Sequence, residues 1–265
     1  MSVPLSDALN EIASRVQAAP HVLLFCDFDG ALAPVYDNPA AASLSAEVRP
    51  LLADLAASGR VTVTVVSGRS ASDLRSRANM PGLIVAGNHG LEIAGPGWDY
   101  VDRAVATSAP NVSLLTAALA KATENIRGVF LEDKKLSVSV HFRHVPTDQH
   151  EAVRSAVHGV LGGTSHPFVL TAGRMVYDIR PRVYWHKGEA VKWIAGRVRQ
   201  SDALVVFVGG DPTDEDAFAA LPHGVTVRVG PGMETAAKYC LEGPDGVRKF
   251  LEWLREQVRP RRTGR

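Results

Sequence analysis

The chain has 265 residues, a formal net charge of +1 and 46% hydrophobic residues. That length makes one large domain or two modest ones, and a charge so near zero removes the electrostatic case for nucleic acid as the main partner. Two cysteines, Cys26 and Cys240, make no disulfide framework.

No stretch is long and apolar enough to span a bilayer. The N-terminus lacks the basic start and apolar run of a signal peptide. The expectation is a cytoplasmic protein, monomer or weak dimer, with no nucleic-acid or membrane partner. The basic tail Arg259 to Arg265 reads as a frayed terminus.

Leu5, Ala8, Leu9, Ile12, Ala13 and Val16 have helical spacing and predict a helix over 5–18, stopped by Pro20. Residues 22–26 form a short unalternated apolar run, the pattern of a strand buried on both faces of a parallel sheet. Asp27, Asp29 and Gly30 follow it at once. A Pro- and Ala-containing loop over 33–43 leads to an amphipathic helix with Leu44, Val48, Leu51, Leu52 and Leu55, closed by Gly59. Residues 61–66, valine and threonine only, are β-branched throughout and predict a strand. It ends in Ser67-Gly68-Arg69, and Ser70 with Asp73 has the spacing of a capping box. A third short strand, 83–86, ends in Gly87-Asn88-His89-Gly90. Three strands that each end in a polar, glycine-bearing loop are the rhythm of a doubly wound, Rossmann-like α/β sheet.

The rhythm then changes. A helix over 111–126, strands over 129–131 and 136–142, a helix over 147–161 and strands near 167–171 and 174–180 are predicted. In the second strand Leu136, Val138, Val140 and Phe142 alternate with Ser137, Ser139, His141 and Arg143, so one sheet face is apolar and the other polar. The expected organisation is a catalytic core over 1–103 and 184–265 with an inserted α+β cap over 104–183. Lys187 then opens a helix, 203–208 is again a wholly apolar strand, and Gly209 to Asp216 is a dense acidic loop. A strand over 225–229 and a helix over 245–258 complete the sheet.

In an open α/β sheet the ligand site lies beyond the carboxyl ends of the strands. That region collects Asp27 and Asp29, Ser67, Lys187 and the Asp211 cluster. Carboxylates with open positions suit a hard cation, above all Mg²⁺. A serine hydroxyl, loop amides and a lysine suit phosphate. Together they describe phosphoryl transfer through a carboxylate nucleophile, with a second carboxylate as acid and base.

Asp27-Phe-Asp29-Gly30, Ser67, Lys187 and the 209–216 loop resemble the haloacid dehalogenase superfamily of phosphatases. Ser67-Gly68-Arg69, Gly87-Asn-His-Gly90, Glu132-Asp-Lys134, His141-Phe-Arg143, Ile179-Arg-Pro181 and Thr213-Asp-Glu-Asp-Ala-Phe218 are similar, in order, to the trehalose-6-phosphate phosphatases over roughly residues 20–255. The resemblance implies an Mg²⁺-dependent sugar-phosphate phosphatase with an aspartyl-phosphate intermediate. Asp27 is then the nucleophile and Asp29 the acid and base. Ser67, Gly68 and Lys187 hold the phosphate. Asn88, His89, Glu132, Lys134, His141, Arg143 and Asp178 meet the sugar. Asp27, Asp29 (through its carbonyl), Asp211 and Asp214 serve the metal.

Three departures from the family pattern stand out. Ala31 replaces a threonine, Asp178 a glutamate, and Gly210 the first aspartate of the acidic loop, so that Asp211 or Asp214 is expected at the metal instead. The alternatives are a phosphatase of a related disaccharide or pseudo-sugar phosphate and a catalytically impaired sugar-phosphate binder. Cap closure is expected to hinge near 100–105 and 181–186.

Overall fold

The computed structural model describes residues 2–36, 41–173, 175–198, 202–231 and 234–259. It divides into two units, Met1–Tyr100 with Trp185–Arg265, and Val101–Tyr184. The first unit opens with β1 (Val3–Pro4), a 3-10 turn over Leu5–Ala8 and α1 (Leu9–Ala18). There follow β2 (Val22–Asp27), α2 (Val48–Ala57), β3 (Val61–Val66), α3 (Ala71–Ala78), β4 (Ile84–Gly87), β5 (Glu92–Gly95) and β6 (Trp98–Val101). The second unit contributes α4 (Arg103–Thr123), β7 (Phe130–Asp133), β8 (Val138–His141), α5 (His150–Gly163), β9 (Phe168–Gly173) and β10 (Val176–Pro181). The chain returns with α6 (Lys187–Val198), β11 (Leu204–Gly209), α7 (Asp214–Ala220), β12 (Val225–Val229), β13 (Tyr239–Leu241) and α8 (Gly243–Val258).

The sheet of the first unit runs β1-β13-β12-β11-β2-β3-β4-β5-β6. The pairs from β1 to β4 are parallel, and β5 turns back antiparallel on β4. β2 lies at its centre, and all six of its residues are buried, which is why no alternation shows in its sequence. Leu24, Cys26, Val63, Val206 and Val208 pack with Ile12 and Val16 of α1, Leu52 and Leu55 of α2, and Leu251 and Leu254 of α8. On the other face Phe25 and Phe207 are register partners and stack at 6.4 Å, and Phe218 of α7 meets Phe207 edge-on at 5.6 Å. Each such fully buried side chain contributes about 1.5–3 kcal/mol relative to exposure. Burial also pushes the Cys26 thiol well above its usual range, so it packs as an inert apolar group.

The second unit is a four-stranded antiparallel sheet, β7-β8-β10-β9. The alternation read in the sequence supplies its core. Val138 and Val140 of β8 and Ile179 of β10 pack with Leu115 and Leu119 of α4 and Val153 and Val157 of α5. Among the described residues no helix is long and apolar enough to cross a membrane.

Several expectations are corrected. α4 begins at Arg103 rather than 111 and runs through Pro110. A helix-interior proline costs about 3 kcal/mol. Val105, Ser108, Val112, Leu115 and Leu119 nevertheless keep one buried stripe across it, and tertiary packing outweighs the local penalty. The helix expected from Leu44 starts at Val48. The acidic loop ends at Asp214, where α7 begins. The two-residue β1 and the strands β5, β6 and β13 were not expected. They are short edge or near-edge pieces whose pairing, not composition, defines them. Arg143 lies in a turn past the end of β8, so the strand alternation ends at His141. Of the basic tail, only Arg259 falls within the described residues.

Candidate active site

The chain leaves β2 at Asp27 and turns immediately. Gly30 takes φ +84, a backbone region that favours glycine, and Gly30 N–H donates to the Ala33 carbonyl at 2.7 Å while Ala33 N–H donates back to Phe28 at 2.8 Å. The two aspartates therefore leave the extended geometry that would make them share one counterion, and each has its own cation. Asp27, 3% exposed, accepts from Lys187 Nζ through Oδ1 at 3.0 Å. Asp29 accepts from both arms of the Arg69 guanidinium, Nε at 2.7 Å and Nη2 at 2.8 Å. Arg69 in turn reaches Asp73 at 3.2 Å.

Lys187 opens α6 and is 1% exposed. Its Nζ bridges Asp27 and Asp214, the second at 2.7 Å. Asp214 is 0% exposed. A buried lysine placed between two buried carboxylates is held charged. Burial opposes the charge, but the fields of Asp214 and Asp27 outweigh it and raise its pKa far above the ordinary value. One positive charge does not satisfy two carboxylates. Burial, followed by repulsion among Asp214, Asp211 and Asp29, pushes Asp27 well above the usual carboxylate range, while Lys187 opposes the shift. Burial raises Asp214 too.

The acidic loop is built by its glycines. A Cβ at Gly209 would sit 2.3 Å from Asp214 Oδ2, so only glycine lets that carboxylate fold against the backbone, where it accepts from Asp211 N–H at 2.8 Å. A Cβ at Gly210 would lie 2.4 Å from the Val229 carbonyl oxygen. The position cannot carry an aspartate in this backbone. The Asp211 carboxylate is engaged within the loop through one oxygen. Its Oδ1 accepts from Thr213 N–H at 2.8 Å and Thr213 Oγ1 at 2.6 Å. Burial raises its pKa, but Lys187 and these bonds outweigh burial and lower it overall.

Ser67 and Gly68 follow β3. Arg69 N–H donates to Ser67 Oγ at 3.2 Å, and Ser67 Oγ lies 3.4 Å from Asp29 Oδ2. The His89 ring presses on Gly68, where a Cβ would come within 2.5 Å of it. Asn88 is fully buried and donates to Glu92 Oε1 at 2.6 Å, a contact of the fold rather than of a solvent-facing surface. Of the expected capping box, Ser70 accepts from Asp73 N–H at 3.2 Å, while the Asp73 carboxylate goes to Arg77 and Arg69.

In the second unit Glu132, Ser139, Asp178 and Thr171 are register partners in one row across the sheet. Glu132 pairs with His141 Nε2 at 3.0 Å. Burial raises Glu132, but the His141 bond and Lys134 outweigh it, so it sits below its ordinary value. Lys134 pairs with Asp178 at 3.2 Å, and the Ser139 hydroxyl also donates to Asp178. Arg143 stands beyond the strand.

The residues expected at a cation were Asp27, Asp29, Asp211 and Asp214. Among the described residues no three His, Cys, Asp or Glu side chains converge as metal ligands. The charge and donor chemistry do fit a hard cation. The cations Lys187 and Arg69 stand among these four carboxylates, and Asp27 Oδ2 accepts no hydrogen bond among the described residues. Mg²⁺ takes oxygen donors, keeps several waters and needs few carboxylates. Sequence reasoning assigned no role to Arg69, although it stands beside Ser67. Nor did it assign one to Thr213, Glu92 or Trp185, whose partners are distant in sequence.

The sequence model of the trehalose-phosphatase family matches residues 25–244. A trehalose-phosphate phosphatase of Mycobacterium marinum is 33% identical over 248 residues, 90% of this chain and 63% of that protein, so the chain spans less than two thirds of that relative's length. The C-terminal domain of Candida albicans trehalose-6-phosphate phosphatase shares the fold with a TM-score of 0.82 at 22% identity, over 97% of this chain and 98% of that one. Aspergillus fumigatus trehalose-6-phosphate phosphatase gives a TM-score of 0.63 at 26% identity, over 97% and 99%. The family match takes in every strand-end loop described above, and the likeness of fold runs through nearly the whole chain: the chain belongs to the trehalose-phosphatase family.

Proposed function

We propose that the chain hydrolyses trehalose 6-phosphate to trehalose and phosphate, with Asp27 as nucleophile. The observation that carries this reading is Asp27 itself. It stands at the carboxyl end of the central strand, held by a buried lysine through one oxygen while the other accepts no hydrogen bond among the described residues. In the first step that oxygen attacks phosphorus and the sugar oxygen leaves with a proton from Asp29. In the second, water attacks the phosphoryl group on Asp27, Asp29 takes the proton of that water, and phosphate departs. Ser67 Oγ, the Gly68 amide and Lys187 Nζ cradle the phosphate oxygens.

Asp27, the main-chain carbonyl of Asp29 and the carboxylates of Asp214 and Asp211 would hold Mg²⁺, which would supply neutralisation of the charge that builds up during phosphoryl transfer. In the second unit Glu132, Lys134, His141, Arg143 and Asp178 read sugar hydroxyls. His89 supports the phosphate loop, and the buried Asn88 is assigned to holding that loop.

A second reading keeps the chemistry and changes the sugar. Asp178 is already engaged by Lys134 and Ser139, which favours a related disaccharide phosphate that makes no use of it. Phosphate release from trehalose 6-phosphate and from a panel of sugar phosphates, with and without Mg²⁺, tests both, beside Asp27→Asn. Release that needs Mg²⁺ and Asp27 supports the proposal, and the preferred ester chooses between readings. Folded protein that releases no phosphate from any ester refutes it and leaves a sugar-phosphate binder.

A further inference from the structure

The backbone of Asn88, His89 and Gly90 takes φ values of +52, +59 and +89. Two consecutive non-glycine residues in the left-handed region are strained, and such strain persists only where surrounding contacts over-determine it. Asn88 N–H donates to the Arg69 carbonyl at 2.7 Å and His89 N–H to the Ser67 carbonyl at 2.9 Å. Those bonds hold one end of the loop to the serine turn. The other end is held by a residue 95 positions away. Trp185 Nε1 donates to the Gly90 carbonyl at 2.7 Å, and the indole is 8% exposed.

Gly90 is also the point where this loop touches α6. A Cβ there would lie 2.9 Å from Ala190 Cβ and 3.2 Å from Lys187 Cα. Trp185 stands two residues before Lys187, and His186 between them accepts from Gly188 N–H through Nδ1 at 3.2 Å, capping the helix start. The Trp185 ring lies 5.5 Å from Tyr100, which stacks on Trp193 of α6 at 4.1 Å. Tyr100 and Trp185 are the residues at which the first unit ends and resumes.

We propose that Trp185 is a positioning residue for Lys187. Its indole N–H on Gly90 clamps the strained 88–90 loop against the first turn of α6 and so fixes the ammonium between Asp27 and Asp214. The inference rests on the reading of Lys187 as a phosphate-holding group, but the clamp itself is a matter of structure and is tested apart from it. Trp185→Phe keeps a ring for Tyr100 and removes the donor with part of the ring volume, and the volume change is common to both backgrounds of the test below.

The first measurement is thermal unfolding of the wild type, Trp185→Phe, Lys187→Met and the double variant. If Trp185 acts through Lys187, the Tm loss caused by Trp185→Phe is at least halved in the Lys187→Met background. Equal losses in the two backgrounds overturn the proposal, whatever the enzyme hydrolyses. The second is the inhibition constant of inorganic phosphate, with KM for trehalose 6-phosphate and for an aryl phosphate that has no sugar. Trp185→Phe is expected to weaken all three by a similar factor, roughly 2- to 12-fold for one lost hydrogen bond. A change confined to the sugar ester overturns the assignment to Lys187. A wild type that hydrolyses no ester refutes the proposed function while the unfolding cycle still decides this one.

Discussion

Replacing Lys187 by methionine keeps the stem of the side chain and removes the ammonium. Nζ donates to Asp27 at 3.0 Å and to Asp214 at 2.7 Å, and side-chain exposures are 1%, 4% and 0% for the three residues. At that depth both carboxylates lose their counter-charge together. Breaking a buried pair by removing one partner costs about 3–5 kcal/mol, and here two partners are orphaned, which puts the expected loss at the upper end. Chemical denaturation in urea measures it as a lower midpoint with an unchanged slope. The diagnostic variant is Lys187→Met with Asp214→Asn, which removes one of the stranded charges. It should regain part of the lost stability, with a coupling of about 0.5–3 kcal/mol. A single variant within about 1 kcal/mol of wild type, or a double variant no better than the single one, would show that the triad does not carry the energetics assigned to it.

Three further outcomes are expected. Arg69→Gln removes the two bonds that orient the Asp29 carboxyl and should lower turnover of an alkyl phosphate by roughly 10²-fold. Turnover of an aryl phosphate, whose leaving oxygen needs little protonation, should fall much less, and equal losses on both would sever Arg69 from proton transfer. Burial raises the pKa of Asp73, but Arg77 and Arg69 outweigh it and hold it below its ordinary value. Its stabilising contribution is therefore present above the unfolded pKa, about 3.9, and is lost as pH falls through the lower folded value. Asp73→Asn should flatten stability against pH in that acid range, and an unchanged acid transition would contradict the pairing. Gly210→Asp places a Cβ 2.4 Å from the Val229 carbonyl and should cost about 1–3 kcal/mol as overpacking without tightening Mg²⁺ binding by calorimetry. A variant with unchanged Tm and tighter Mg²⁺ would show that the loop readily rearranges.

The sequence by itself determined the elements whose signal is local. β2, β3 and β11 are apolar or β-branched runs that end in glycine and polar residues, and burial on both faces of a parallel sheet leaves that pattern directly in the chain. The second unit's β8 showed its alternation because Val138 and Val140 pack on α4 and α5, while Ser139, buried as well and so not on the open face the alternation predicted, pairs with Asp178. The carboxylates and Ser67 were legible because they stand at the ends of such strands, and Lys187 because it opens a helix. Tertiary structure decided what each of them touches. No spacing tells that Lys187 lies between Asp27 and Asp214, 160 and 27 residues away, or that Asp29 turns to Arg69. Only the packing of Val229 shows why position 210 carries no side chain. α4 passes through Pro110 because a long buried stripe outweighs one missing hydrogen bond, a balance set by contacts far along the chain. Local preference is written in neighbouring residues. Charge pairing, strain and close approach depend on which distant segments the fold brings together.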